Sequence, residues 1–376
     1  MQQDNHAKYK RIIIILMEKI VTKYILGISV LILILASLTI LGYQKQHLPI
    51  EETPYTVESQ TITFPEDEYQ HSTPVEWWYY SGHLISTDES KYGFHVTIFK
   101  GRAQTGFEGY MAHVSLTDLE NHIHHQSSRI LIPKFHGGQD DISFNKDGWN
   151  IQLNYIDNMI IIDSPLYKLK LDLTNDPRTI LHNKNGYIAN DTGWTYYYSH
   201  PDLTVRGHLT LDGKEMNVSG TVWMDHQWGD FTIPGYPAGW QWFSILLPDN
   251  EYLMISESRN SSNESKLYGT LLESNGQVLH LTDNEISLTI LNHWVSPVTK
   301  AKYPIRWSLK IKSAGINIII TPDIVNQEIT TAFPPQTIYW EGSSSYKGLV
   351  RNQSTTGKSY VELVGYVITD VTIPTA

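Results

Sequence analysis

From Glu76 onward the chain alternates apolar and polar side chains with a period of two. Trp149, Ile151, Leu153 and Tyr155 are separated by polar residues, as are Tyr167, Leu169, Leu171 and Leu173, and later Ile305, Trp307, Leu309 and Ile311. A strand sends successive side chains to opposite faces, so this pattern predicts half-buried antiparallel strands. Asp147-Gly148, Asp157-Asn158, Asp212-Gly213, Asp249-Asn250 and Asn275-Gly276 fall between strand candidates and predict hairpin turns. No apolar stripe of helical period persists in this region, so helices are predicted to be few and short. The body is read as all-β.

Two stretches resemble each other. Glu76-Trp77-Trp78-Tyr79-Tyr80-Ser81-Gly82-His83-Leu84 precedes a polar turn and the strand candidate Phe94 to Phe99, while Gly239-Trp240-Gln241-Trp242-Phe243-Ser244 precedes Pro248-Asp249-Asn250 and Tyr252 to Ser256. Between them, two prolines and a glycine in Ile233-Pro234-Gly235-Tyr236-Pro237 interrupt strand pairing. Two β domains are expected, residues 75–232 and 233–376.

The first 74 residues are different. Tyr24 to Leu41 is an unbroken apolar run behind Lys8, Lys10, Arg11, Lys19 and Lys23. Its length approaches the ~20 residues a membrane-crossing helix needs, and the basic flank orients it with the amino terminus inside. The expectation is a basic cytoplasmic terminus over residues 1–23, a transmembrane signal anchor over 24–42, a tether over 43–74 and an extracytoplasmic body, with secretion after cleavage as the alternative. Met17 offers a second candidate start.

Composition narrows the chemistry. With no cysteine among 376 residues, disulfides, thiolate nucleophiles and cysteine-ligated metals are excluded. Beyond residue 42 there remain 23 basic against 37 acidic side chains, a net charge of −14. Such a body repels nucleic acid. No G-x-S-x-G elbow and no glycine-rich phosphate loop occurs.

The stretch that concentrates titratable chemistry is Trp223-Met224-Asp225-His226-Gln227-Trp228-Gly229. Burying Asp or His unpaired costs several kcal/mol in order of magnitude, so a polar pair between tryptophans in a strand has a structural or a chemical purpose. Together with it, VEWWYYSGHL, HVSLTD, GWQWFSILLPDNEYLM, YWEG and YVELVGY occur in order between Val75 and Tyr366. This set resembles the lipocalin-like family of carotenoid 1,2-hydratases (hydroxyneurosporene synthases) and the AttH-type proteins called secreted hydrolases. The resemblance implies two tandem lipocalin-like antiparallel β-barrels, no cofactor, and an apolar isoprenoid or lipid-like ligand. Its chemistry is acid-catalysed hydration, in which an acid, either an aspartate or a His/Asp pair, protonates an isolated double bond and aromatic faces tolerate the cation. It places His226, Asp225, Trp228 and Tyr252 as catalytic candidates. The family's Tyr-x-Asp falls on Tyr252-Leu253-Met254, and methionine donates no proton. The alternative is a non-catalytic carrier of an apolar ligand, working with an export-system permease at the membrane.

Several residues carry two readings. Asp225 and His226 form either an acid/base pair beside a cavity or a hydrogen-bonded corner joining the barrels. Glu76, a ligand-site candidate, is either a second acid or a carboxylate satisfied by backbone or Tyr hydroxyl groups, Trp77, Trp78, Tyr79, Trp240 and Trp242 either line a ligand site or fill cores, and His113 and His95 either point into a barrel or bond the backbone. His122, His124 and His125 have spacing that suits either a metal or a solvated loop; no metal is assigned.

Overall fold

The computed structural model describes residues 61–102, 108–135, 142–154, 157–174, 178–190, 193–233, 236–331 and 337–367. The first sheet contains β1 (Val75–Ser86), β2 (Lys91–Arg102), β3 (Glu108–Asp118), β4 (Ile123–Leu131), β5 (Pro133–Phe135), β6 (Ile142–Lys146) and β7 (Trp149–Leu153). It continues with β8 (Asp157–Asp163), β9 (Tyr167–Thr174), β10 (Ile180–Leu181), β11 (Tyr187–Asn190), β12 (Gly193–Leu211) and β13 (Lys214–Phe231). The second holds β14 (Gly239–Leu247), β15 (Glu251–Arg259), β16 (Ser265–Leu272), β17 (Val278–Leu281), β18 (Ile286–Val295) and β19 (Lys302–Ile311). It ends with β20 (Ile316–Pro322), β21 (Glu328–Thr330), β22 (Ile338–Val350) and β23 (Gln353–Val364).

Pairing is antiparallel throughout, in the orders β4-β3-β2-β1-β13-β12-β9-β8-β7-β6-β5 and β17-β16-β15-β14-β23-β22-β20-β19-β18. Each sheet curls until its ends approach, β4 beside β6 and β16 beside β18, without a hydrogen-bonded seam between those strands. The expected closed barrels are therefore two curled, partly closed sheets. The two duplicated stretches occupy equivalent places: β1 joins β2 to the late strand β13, and β14 joins β15 to the late strand β23.

Alternation explains the cores. In β9 the pattern is strictly buried at Tyr167, Leu169, Leu171 and Leu173, and exposed between them. The turns at Asp147-Gly148 and Asp212-Gly213 have positive φ at both residues, the conformation that a two-residue hairpin requires and that glycine adopts without strain. Asp157-Asn158 differs: it opens β8, where the Asn158 carboxamide oxygen accepts the backbone N–H of Asn154. Asx side chains bond the nearby backbone in many settings, so that dipeptide alone does not locate a turn.

The anchor expectation is corrected. Among the described residues, the helices are three-residue 3-10 turns and no helix is long and apolar enough to cross a membrane. The segment 24–42, which carried that expectation, lies outside the described residues. The membrane partner, the permease and the extracytoplasmic placement lose their structural footing with it. The expected tether is also revised where it is described, since residues 61–74 pack on the first sheet: Ile62 joins its core and Phe64 meets Tyr198 edge to face at 5.0 Å.

The second core centres on Trp307, fully buried, whose indole N–H donates to Gln241 Oε1 at 2.8 Å. Trp307→Ala is expected to cost about 3–5 kcal/mol, from the cavity and the orphaned carboxamide oxygen. Urea unfolding followed for the second sheet checks this, and a loss below 1 kcal/mol would contradict the packing described.

Candidate functional site

β13 runs between two layers, and its pleat divides the central motif. Met224, His226 and Trp228 face the core of the first sheet, while Trp223 and Asp225 face the second sheet. Asp225 and His226 are adjacent in sequence and on opposite faces, as strand geometry requires. They do not form a pair.

His226 lies in register with Trp78 of β1 and Tyr198 of β12. Its ring stacks on Trp78 at 4.8 Å, its Nε2 meets Glu76 Oε1 at 3.0 Å, and its Nδ1 meets the Tyr198 hydroxyl at 3.0 Å. Burial holds the imidazole below its usual pKa against the raising effect of Glu76. A neutral ring that donates from Nε2 to Glu76 and accepts from Tyr198 satisfies both contacts.

Glu76 is the centre of this cluster. It accepts from the backbone N–H of His71 at 3.0 Å, meets His71 Nδ1 at 2.8 Å and takes the Lys100 ammonium at 3.0 Å. Burial would raise its pKa, but hydrogen bonds from His226 and His71, with the charge of Lys100, lower it to about 2. The His71 ring is desolvated too, yet Asp67 and Glu76 on its two nitrogens push its pKa up, and it lies flat on Trp228 at 3.9 Å. His71, Glu76 and His226 bring ligand atoms within 4.8 Å of one another, a donor set that suits a divalent cation. In this arrangement Lys100 and the imidazoles already compensate the carboxylate.

Residues 62–71 cover this cluster. Besides His71, Glu68 contributes its carbonyl to the Trp78 indole N–H at 3.3 Å and its carboxylate to His200 Nε2 at 2.6 Å. The first cluster is thus a buried ion-pair and hydrogen-bond plug at one end of the first sheet.

The second cluster fills the layer between the sheets. Asp225 Oδ1 accepts from Ser199 at 2.5 Å and Trp223 Nε1 at 2.6 Å, and Oδ2 accepts from Tyr197 at 2.7 Å. The Trp242 indole of the second sheet donates to the Tyr197 hydroxyl at 2.9 Å. Burial raises Asp225 to about 7 against those three donors. Glu341 of β22 and Glu362 of β23 are directly opposite in register and share this layer. Glu341 is pushed well above the carboxylate range by burial and by Glu362, against the hydrogen bond from Tyr79; Glu362 is raised to about 7 by burial, against the Trp240 indole. Two carboxyl groups side by side in a buried layer cannot both ionise cheaply. The Tyr79 hydroxyl donates to Glu341 Oε2 at 3.0 Å, leaving Oε1 with no hydrogen bond among the described residues. His113 Nδ1 meets the Tyr339 hydroxyl at 2.8 Å across the same layer.

The structure therefore separates the sequence candidates into two groups. His226, Trp228, Glu76 and Trp78 gather in the first cluster. Asp225, Tyr79, His113, Trp242 and Tyr252 lie between the sheets, with Trp77 and Trp240 packed at the margin. Tyr252 accepts from Arg178 at 3.2 Å, and Met254 is buried in this same layer. The histidines of β4 do not converge: His122 is exposed in the turn, His124 bonds Thr117 and His125 faces Tyr167. Glu341, Glu362, His71, Lys100, Tyr197 and Tyr198 were not singled out in the sequence. The signal for the first two was present, a glutamate inside the alternating runs Tyr339-Trp340-Glu341 and Tyr360-Val361-Glu362-Leu363. His71 gave none, since it sits in an aperiodic stretch. A surface concavity of about 420 Å3, lined in part by Asp172, Arg206 and His208, lies at the Ser86 end of β1 and belongs to neither cluster.

The two clusters give opposite pH dependences. Glu76, lowered to about 2, stabilises the fold above the unfolded-state carboxylate pKa, and this is lost as pH falls from about 4.5 through 2. Glu76→Gln is expected to remove that acid limb and to cost about 3–5 kcal/mol at neutral pH by orphaning the buried Lys100 charge. Asp225, raised to about 7, stabilises most below the unfolded-state value and loses this as pH rises through 7. Asp225→Asn should flatten the decline between pH 5 and 8 in denaturant titrations. Unchanged limbs in either variant would refute the assigned charge states.

Against known proteins, the AttH-like family model matches residues 55–366. No curated protein matches the chain. The crystal structure of a protein described as an AttH from Nitrosomonas europaea superposes with a TM-score of 0.72 at 26% identity, covering 83% of this chain and 99% of that one. Kievitone hydratase from Nectria haematococca superposes with a TM-score of 0.67 at 19% identity, covering 83% and 94%, a likeness of fold. With most of its length matched by the family model, and with both curled sheets accounted for, the chain belongs to the AttH-like family.

Proposed function

We propose that the layer between the two sheets receives an apolar ligand bearing an isolated carbon-carbon double bond, and that Glu341 protonates it for addition of water. The observation that carries this reading is Glu341 itself, a fully buried carboxyl group kept in its acid form with one oxygen anchored by Tyr79 and the other unengaged among the described residues. Alkene hydration requires such an acid. The carboxyl proton forms a new C–H bond with the π electrons, the more substituted carbon becomes a cation, and a water oxygen closes on it as its surplus proton leaves. Tyr79, Tyr339, Trp242 and Trp240 supply aromatic faces of the kind that stabilise a cation.

Asp225 serves a different purpose in this reading. Both its oxygens are occupied by three donors, so it orients Tyr197 and Trp223 at the wall. The acid absent at Met254 is replaced in function by glutamates that reach the same layer from β22 and β23. The hydratase side of the family resemblance, and the name of the fungal structure, accord with this chemistry.

The test uses farnesol, an acyclic prenyl alcohol with isolated trisubstituted double bonds, incubated with the protein in H2(18)O. Labelled tertiary alcohol is expected, and Glu341→Gln should lower its formation by about 100-fold or more. Activity should fall on the alkaline side, because the donor is lost as pH rises through its raised pKa. Farnesol held stoichiometrically without conversion would overturn the catalytic reading in favour of a carrier.

A further inference from the structure

Building on Glu341 as the acid, the geometry points to His95 as the base that takes the proton from the attacking water and returns it to Glu341. His95 lies on β2 and projects into the layer between the sheets, fully buried. Its Nε2 is 3.5 Å from Glu341 Oε1, the oxygen that Tyr79 leaves unengaged, and is hydrogen-bonded to Thr97 Oγ1. Its Nδ1 makes no hydrogen bond among the described residues. A buried ring nitrogen without a partner is costly, which is explained if it accepts from a molecule that enters the layer.

The surroundings select the state of the ring. Facing it are Tyr79 at 5.2 Å on β1, Tyr339 at 6.2 Å and Glu341 on β22, whose cross-strand partner on β23 is Glu362, with His113 on β3 and His124 on β4 beyond. Burial, reinforced by His113 and His124, holds the imidazole well below its usual pKa, so it enters the cycle neutral. With its hydrogen on Nε2 toward Thr97, Nδ1 carries the lone pair.

The cycle then balances. Glu341 loses its proton to one alkene carbon, and water forms the C–O bond at the other. His95 Nδ1 accepts the surplus water proton, and the imidazolium gives its Nε2 proton to Glu341 Oε1. Acid and base are both restored, with the base in the opposite tautomer, which returns to the starting one by exchange with water before the next turnover. No oxidant or co-reactant is consumed. His113, another imidazole of this layer, has its Nδ1 committed to Tyr339.

Two measurements test this role. In 15N spectra of the wild-type protein, His95 should be a neutral ring protonated at Nε2 and bare at Nδ1 across neutral pH; a hydrogen on Nδ1 in the resting protein overturns the inference. With farnesol, deuterium exchange from D2O into the alkene reports protonation by Glu341 alone, since its carboxylate can remove the proton again, whereas 18O incorporation needs the base. His95→Gln, whose amide can still meet Thr97, is expected to keep deuterium exchange within about threefold and to lose 18O incorporation by about 100-fold. Glu341→Gln should lose both. If His95→Gln retains 18O incorporation with an unchanged pH profile, His95 is not the base while the function assigned to Glu341 stands. A wild-type protein that exchanges no deuterium overturns that function, and this inference with it.

Discussion

The pleat of β13 is the constraint from which the rest of the molecule follows. A strand cannot turn neighbouring side chains to one face, so the polar island at its centre is split: His226 enters the first sheet's core and Asp225 enters the layer shared by both sheets. Each buried polar group then needs partners from its own side. Glu76, Lys100, His71 and Tyr198 assemble around His226, while Tyr197, Ser199 and Trp223 assemble around Asp225. The motif is a bulkhead with separate polar systems on its two sides.

Those systems differ in electrostatic character. Around Glu76 the compensation is complete: a carboxylate is surrounded by an ammonium and two imidazoles, burial is outweighed, and the charge is retained. That is the arrangement of a structural fastener, which fixes residues 62–71 over the end of the sheet. Between the sheets no lysine or arginine among the described residues is bonded to Glu341, Glu362 or Asp225. Burial there prevails and raises all three carboxyls, Asp225 and Glu362 to about 7 and Glu341 well above the carboxylate range. A protonated acid among aromatic rings is suited to chemistry on an apolar molecule, which is why the functional reading rests on the intersheet layer although the most conspicuous histidine lies elsewhere.

The intersheet layer also binds the molecule together. Tyr79 to Glu341, His113 to Tyr339, Trp242 to Tyr197 and His182 to Thr270 cross from one sheet to the other. Polar contacts of this kind are directional, so they set how the two curled sheets meet more narrowly than apolar packing would. The same side chains that position the sheets thus form the walls of the proposed site.

The all-β body, the hairpins at Asp147-Gly148 and Asp212-Gly213, and the equivalence of the β1 and β14 regions were legible in the sequence, because alternation and turn chemistry are local properties that the backbone imposes residue by residue. So was the concentration of titratable and aromatic groups in Trp223 to Gly229, since tryptophans beside titratable groups stand out in any strand. Only the tertiary structure decided which layer each face of β13 enters, that His71 and Lys100 complete the Glu76 cluster, and that Tyr79 of the first sheet meets Glu341 of the second. Glu76 with Lys100 and Glu341 with Glu362 are partners on consecutive strands, but the layers they enter follow from curvature and sheet packing. They depend on which strands end up side by side, and no local pattern encodes that.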